Sequence, residues 1–437
     1  MTGKRLFGKT IECTCGRTHK IEPREVIYAK DALSRLTSVC CRVVDGRQVA
    51  VLMDVRTRAA AGGEAADLLS GAGWKVTEVL VPDPGEACSP VCDEMTKEAL
   101  AGRINKPDLI LTVGSGVVTD LGKWLAMEAC IPFVSFATAA SMNGYTSANV
   151  APTISGVKTL LRARPPAALL STPAVLRDAP YELTASGLGD ALAKAVSSAD
   201  WRLNHLLFGD YYCPKSVGLT GKVEPMYLNH PEAIRARRPE AIEALFQALV
   251  LTGLAMTMAE TSSPASGGEH LISHCLDMMS FVDGQSHDLH GRQVGVGTIL
   301  TSELYRRALA IDSPRFAGPP ENVDSAFWGP LAGVVAQQYA EKLPRLEQAK
   351  AALSRPGAWG QLRRKLKPML RPPEVIRDCL SRAGAAFRAE DIGCGRPRLL
   401  EAFLHAHEIR SRFTILDLAR LLGLMPDAAA EITEQWA

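Results

Sequence analysis

The chain has almost no excess charge of either sign: Lys plus Arg number 49, Asp plus Glu 47, and the formal charge is +2. That near-balance gives no electrostatic footprint for nucleic acid or an anionic membrane, and it points to a small diffusible partner. There is no uninterrupted run of about 18 apolar residues, which argues against a membrane-spanning helix. The sequence does not open with the basic and apolar regions of a secretory leader. Its eleven cysteines, an odd number, follow no regular framework. Disulfide staples are therefore not expected, and the cytoplasm is the expected compartment. One cluster, "ECTCGRTH", puts Cys13, Cys15 and His19 at metal-like spacing but lacks the second ligand pair of an ordinary structural zinc site.

What is present is enough apolar sequence for more than one core. At 437 residues, with 47% apolar and 22% charged residues, two domains are expected. Short β-branched runs alternate with helical patterns at first: "RQVAVLMDV", then "AAGGEAADLLSGAGW"; "KVTEVLVPD", then "DEMTKEALAGRI"; "PDLILTVGSG", then "VVTDLGKWLAMEAC"; then "IPFVSFAT". Such alternation predicts a doubly wound α/β nucleotide-binding domain over residues 1–171, with a parallel sheet covered on both faces. From 172 to 437 apolar residues recur every three or four positions, which predicts a mostly helical second domain. Within it, the Pro-, Arg- and Lys-rich stretch from Ile311 to Pro373 is expected to be solvated loops and short helices.

Gly114-Ser115-Gly116 stand directly between a predicted strand and helix. Glycines there allow a pyrophosphate close to the backbone, and the N–H groups of Val117 and Val118 in the first helical turn favour an anion. A tight strand-to-helix turn calls for glycine in any case. Asp54 ends an earlier strand, where a carboxylate can take ribose hydroxyls and repel a 2′-phosphate; this favours NAD over NADP, although Arg56 nearby softens the preference.

Four of the nine histidines, His270, His274, His287 and His290, crowd into one short stretch. His270 and His274 are four apart and share a helix face. The segment is not H-E-x-x-H, which argues against a metalloprotease. A divalent metal draws ligands from several elements, so His290, followed by the small-residue run "VGVGT", is a candidate partner, and a carboxylate would complete a three-ligand site with an open position. The best candidate is Asp190 in "ASGLGDALAKA", although an aspartate after two glycines also suits a helix N-cap. Lys194, one turn on, projects to the same side.

Together "GSGVVTDLGKW", "SFATAASMNGYTSA", "GLGDALAKAVSSADW", "SGGEHLISH" and "DLHGRQVGVGT" resemble, in order and over nearly the whole chain, the motifs of the glycerol-1-phosphate dehydrogenase family, especially its bacterial AraM-type branch. That family belongs with the iron-containing alcohol dehydrogenases, glycerol dehydrogenase and dehydroquinate synthase. The resemblance implies a dehydroquinate synthase-like fold and a homo-oligomer. It implies metal ligation by Asp190, His270 and His290, and substrate contact by His274, Asp190 and Lys194. It implies cofactor contacts at Gly114, Ser115, Gly116, Val117, Val118, Thr138, Ser141, Ser147 and Lys158, while His287 matches no family position. Where the family has aspartate in S-M-D-G-Y, this chain has Asn143, and an amide accepts and donates hydrogen bonds but exchanges no proton.

The expected chemistry is hydride transfer between NAD(P)H and dihydroxyacetone phosphate, giving sn-glycerol 1-phosphate. A divalent metal, zinc first and then nickel or iron, would stabilise charge on the substrate oxygens, with His274 or water passing the proton. Asn143 keeps a related phosphorylated or phosphonylated aldehyde or ketone open as the substrate. Two further functions stay open, a dehydroquinate synthase-like lyase and a catalytically silent nucleotide-binding homologue.

Overall fold

Several predicted strands are apolar at nearly every position, and strands of that kind need cover on both faces. The computed structural model describes residues 6–85 and 89–437. In chain order its strands are β1 (Thr10–Glu12), β2 (Thr18–Lys20), β3 (Glu25–Tyr28), β4 (Gln48–Met53), β5 (Lys75–Leu80), β6 (Leu109–Gly114) and β7 (Phe133–Ala137). Four two-residue strands follow, β8 (Asn149–Val150), β9 (Thr153–Ile154), β10 (Val157–Lys158) and β11 (Leu161–Arg162), and then β12 (Ala168–Ser171).

Six of these form a parallel sheet in the order β3-β12-β7-β6-β4-β5. Every residue of β6, β7 and β12 is buried. Alternate side chains go to opposite faces. Val49, Val51, Leu109, Leu111 and Val113 pack with Leu36, Val39, Ala65 and Leu69 from the helices Leu36–Val43 and Gly63–Gly71. Ala50, Leu52 and Ile110 pack on the other face with Leu100, Val118, Leu121 and Leu125 from the helices Glu94–Ala101 and Gly116–Glu128. From β4 the chain runs outward to β5, and it returns on the other side of β4 as β6. The strand order therefore reverses between β4 and β6, and their carboxyl ends flank the crevice where open α/β sheets bind ligands.

The chain up to Gly187 together with Gly218–Thr261 makes one compact unit; Leu188–Val217 with Ser262–Ala437 makes another. A single cut at 171/172 does not describe that arrangement, because the chain comes back to the first unit. The returning element is the helix Pro239–Ala259, apolar on every side and almost entirely buried. By length and composition it could cross a membrane, but 89% of its most apolar window is buried within the protein, as in a core helix. It clamps the loop after β7: Thr146 Oγ1 donates to the Val250 carbonyl at 2.6 Å, and Thr257 Oγ1 donates to the Thr146 carbonyl at 2.8 Å.

The second unit is built from helices, among them Lys194–Phe208, Gly268–Asp283, His290–Ala310 and Arg396–His405. The stretch 311–373 holds more order than its composition predicts. It contains a 22-residue helix, Ala332–Leu353, running through Pro344. Val335, Tyr339, Leu346, Ala349 and Leu353 line its buried face. Lys342 on that face pairs with Asp417 at 2.7 Å and donates to the His407 carbonyl at 2.6 Å, so a residue type that reads as solvated is held inside.

Candidate active site

In the first unit, the Gly116–Glu128 helix starts at the carboxyl end of β6. Its N-cap, Ser115, makes no side-chain capping bond, so the first-turn N–H groups, those of Val117 and Val118 among them, are not met by a side-chain cap. The two glycines differ in role. A Cβ on Gly114 would overlap the Val118 side chain, whereas one on Gly116 would meet only ordinary contacts with Met142. Gly114 is thus demanded by helix packing, and Gly116 leaves the backbone open to a ligand.

Asp54 follows β4 on the other side of the reversal point. It also caps the short turn after it: Oδ1 accepts the Thr57 N–H at 2.8 Å, and the Asp54 N–H donates to Thr57 Oγ1 at 2.9 Å. Arg56 is engaged by Asp83, with Nη1 donating at 3.0 Å and the pair raising the guanidinium pKa. Thr138 N–H donates to the Gly114 carbonyl at 3.1 Å and ties the turn after β7 to the turn after β6. Ser141 Oγ lies 3.2 Å from the Tyr145 hydroxyl, Ser147 Oγ accepts the Asn149 N–H at 3.0 Å, and Lys158 is half-buried on β10.

Asn143 is buried at the start of the Gly144–Thr146 turn, and its carbonyl sits against Gly253, where a Cβ would overlap it. A lysine that the sequence motifs do not single out holds this loop. Buried Lys123 Nζ donates to the carbonyls of Gly144 at 3.0 Å and Asn149 at 2.8 Å, next to Asp120 at 3.2 Å.

In the second unit three segments converge. Asp190, His270 and His290 each offer a ligand atom, and these atoms lie within 4.8 Å of one another. Asp190 does not begin a helix. It stands in the last turn of Tyr181–Leu192, and the next helix, Lys194–Phe208, has Ala193 at its cap with no side-chain bond, so a capping role for Asp190 falls away. Lys194 opens that next helix and is buried.

Two neighbours settle the ring orientations. His270 Nδ1 is 2.8 Å from Glu269 Oε1, which leaves Nε2 pointing at Asp190 Oδ1, 3.4 Å away. Ser273 Oγ donates to Gln293 at 2.8 Å and so accepts from His290 Nδ1 at 3.1 Å, leaving the other ring nitrogen of His290 as an acceptor. Burial opposes a charge on His270, but the hydrogen bonds its ring donates to Asp190 and Glu269 outweigh it and push the ring pKa up to about 9. A cation of some kind suits this spot, and one carboxylate with two oriented imidazoles is a donor set that fits a divalent metal.

His274 stacks on His290 with ring centroids 5.4 Å apart. Asp277, one turn along, forms a second close group with His274 and His290. His287 is not part of the site; it is half-exposed and pairs with Asp277 at 3.2 Å. Glu269, Ser273, Gln293 and Asp277 are the participants that motif reading missed. Glu269 had one visible signal, its place directly before His270.

The model of the family described as iron-containing alcohol dehydrogenase matches residues 27–180. The glycerol-1-phosphate dehydrogenase [NAD(P)+] of Geobacillus stearothermophilus is 31% identical over 93% of this chain and 94% of its own length. Its namesake from Thermococcus kodakarensis is 31% identical over 95% and 98%. Among solved structures, a probable glycerol dehydrogenase from Sinorhizobium meliloti 1021 superposes with a TM-score of 0.62 at 16% identity, covering 95% of this chain and 99% of that one. The fold is therefore that of the iron-containing alcohol dehydrogenases and glycerol dehydrogenases. At the finer level, the chain belongs to the NAD(P)-dependent glycerol-1-phosphate dehydrogenase family.

Proposed function

We propose that the chain interconverts dihydroxyacetone phosphate and sn-glycerol 1-phosphate, using NAD(P)H and one divalent metal held by Asp190, His270 and His290. The convergence of those three side chains, with both imidazoles oriented by hydrogen bonds, carries the proposal. When bound, a divalent ion supplies Lewis acidity toward a carbonyl or alkoxide oxygen, and the nicotinamide supplies or accepts the hydride.

The protein's own groups do the rest. Glu269 and Ser273 orient both ligand histidines so that the ring nitrogen away from their hydrogen bonds faces the site, and the proton held on His270 would leave as the metal binds. His274, stacked on His290, is the imidazole placed beside the ligands to pass a proton to or from the substrate oxygen. Lys194 is the cation for the substrate phosphate, as a compact charge on a flexible stem. The first-turn N–H groups after Gly116 take the cofactor pyrophosphate, with Thr138, Ser141, Ser147 and Lys158 as further cofactor contacts and Asp54 at the adenosine ribose. Zinc is the first metal to try, then nickel and iron. We place the enzyme in the cytoplasm, as a homo-oligomer.

Asn143 favours a second reading. An amide in place of an acid at that loop suits a neighbouring phosphorylated or phosphonylated aldehyde or ketone, because it recognises a hydroxyl or carbonyl without exchanging a proton. The test is NADH oxidation by metal-reconstituted protein across triose phosphates and phosphonoaldehydes. Stoichiometric oxidation with dihydroxyacetone phosphate supports the first reading, and oxidation confined to phosphonoaldehydes supports the second. NADH binding without turnover of any member would sink both.

A further inference from the structure

Far from the dehydrogenase chemistry in sequence, the chain opens with a small ribbon that the proposed reaction does not use. β1 and β2 pair antiparallel over three residues each, with Ile11 opposite His19. The turn between them is closed by Cys13 N–H donating to the Arg17 carbonyl at 3.1 Å and Gly16 N–H donating to the Cys13 carbonyl at 3.0 Å. Gly16 stands at φ +84°, the left-handed conformation that glycine adopts without strain. This tight turn folds Cys13 and Cys15 back over the strand that carries His19. Cys15 Sγ is 3.3 Å from His19 Nε2, and the ligand atoms of Cys13, Cys15 and His19 all lie within 4.8 Å of one another. His19 is only 3% exposed.

We propose that Cys13, Cys15 and His19 form a thiolate metal site, with zinc as the metal and a structural role. Tetrahedral zinc with bonds of about 2.3 Å to sulfur and about 2.0 Å to nitrogen sets its sulfur and nitrogen ligands roughly 3.6 Å apart, close to the spacing between Cys15 and His19. A thiol hydrogen bonded to an imidazole accounts for that one contact but not for a second sulfur gathered at the same point. Cys13 and Cys15 each lose a proton on binding, and two thiolates with a neutral imidazole balance a dication. A fourth donor completes the tetrahedron.

The fold supplies a reason for such a staple. A two-stranded ribbon is marginal in water by itself, and this one has strands of three residues. Among the described residues from Leu6 to Arg24, Phe7, His19, Ile21 and Pro23 are buried. A metal bridging the turn to β2 holds the ribbon where Arg24 N–H donates to the Ala167 carbonyl and β3 enters the main sheet.

The site does not depend on the proposed activity, and its sulfur ligands distinguish it from the oxygen and nitrogen donors of Asp190, His270 and His290. Full-length protein is loaded with zinc, or with cobalt as a spectroscopic substitute. Bound zinc is then counted in the wild type, in Cys13→Ser/Cys15→Ser and in His290→Ala. The wild type should hold about one equivalent more than either variant, reckoning one ion per ligand set. Near-ultraviolet thiolate-to-cobalt absorption should be present in the wild type and in His290→Ala, and lost in the double variant. The proposal is overturned by cobalt-loaded wild type without that absorption, or by zinc content unchanged in the double variant. Should the double variant fail to fold, zinc X-ray absorption on the wild type decides. Sulfur scatterers at about 2.3 Å support the site, and a shell of nitrogen and oxygen alone refutes it.

Discussion

Gly189 and Gly291 meet backbone to backbone: a Cβ added to Gly189 would overlap the Gly291 carbonyl oxygen. Each glycine is next to a candidate ligand, Asp190 after the first and His290 before the second. The approach of these two chain segments, and so the gap between carboxylate and imidazole, is set by the absence of one methyl group.

Gly189→Ala should therefore be destabilising by about 1–3 kcal/mol, the usual range for overpacking, and should weaken metal retention at the same time. Gly102→Ala is the control, since nothing lies within 4 Å of a Cβ there and φ is −66°. Thermal midpoints and metal content measured on both variants decide. Equal behaviour of the two would show that the close contact does not matter.

Glu269 holds His270 at 2.8 Å and also accepts the Gly267 N–H at 2.8 Å. Glu269→Gln keeps an acceptor but removes the charge that supports the imidazole. Metal affinity should fall about 10- to 100-fold, as it does when carboxylates behind histidine ligands are altered. Chelator competition measures this, and an unchanged dissociation constant would mean that the ring is oriented by packing alone.

Asp200 is completely buried, and it accepts hydrogen bonds from Gly268 N–H, Ile415 N–H and the Tyr305 hydroxyl. Burial, reinforced by the negative charge of Glu269, outweighs those bonds and pushes its carboxyl up to about 8. Between the unfolded value near ~3.9 and that folded value, the native state holds a proton that the unfolded chain has lost. Stability from this group is thus complete at low pH and declines as pH rises toward 8, by at most about 1.4 kcal/mol per pH unit. Asp200→Asn lacks this dependence while losing one acceptor. The stability gap between wild type and variant should then narrow from pH 5.5 to pH 8 in urea titrations, and a constant gap would count against a protonated Asp200.

Asp54→Asn tests the cofactor preference without breaking the local turn, because asparagine caps as well as aspartate. Arg56 is shared between Asp83 and Asp54, its Nε lying 3.5 Å from Asp54 Oδ1, so removing the Asp54 charge both lifts a repulsion of a 2′-phosphate and leaves the guanidinium less neutralised. The ratio of kcat/KM for NADP to that for NAD should rise about tenfold, equivalent to about 1.4 kcal/mol. An unchanged ratio would move nucleotide selection elsewhere.

Much of the first unit was legible because its signals are local. The runs "VAVLM" and "LILTV" are too apolar for one-sided strands, and the glycine turn of Gly114 to Gly116 falls where a parallel strand must hand over to a helix. The composition of 311–373 misled because Lys342 and Pro344 suggest solvent and a break, whereas burial against Asp417 and the surrounding apolar face carries the helix through.

The amino-acid sequence by itself determined the doubly wound half, the helical half, the grouping of four histidines and the family motifs, since each rests on neighbours within a few residues. Tertiary packing decided the rest. It returned Pro239–Ala259 to the first unit, placed Asp190 at a helix end instead of a helix start, and excluded His287 from the site. It also put Glu269 and Ser273 behind His270 and His290. Ligand geometry depends on how closely whole helices approach, and that distance is set by contacts such as Gly189 with Gly291, about a hundred residues apart, which no local spacing encodes.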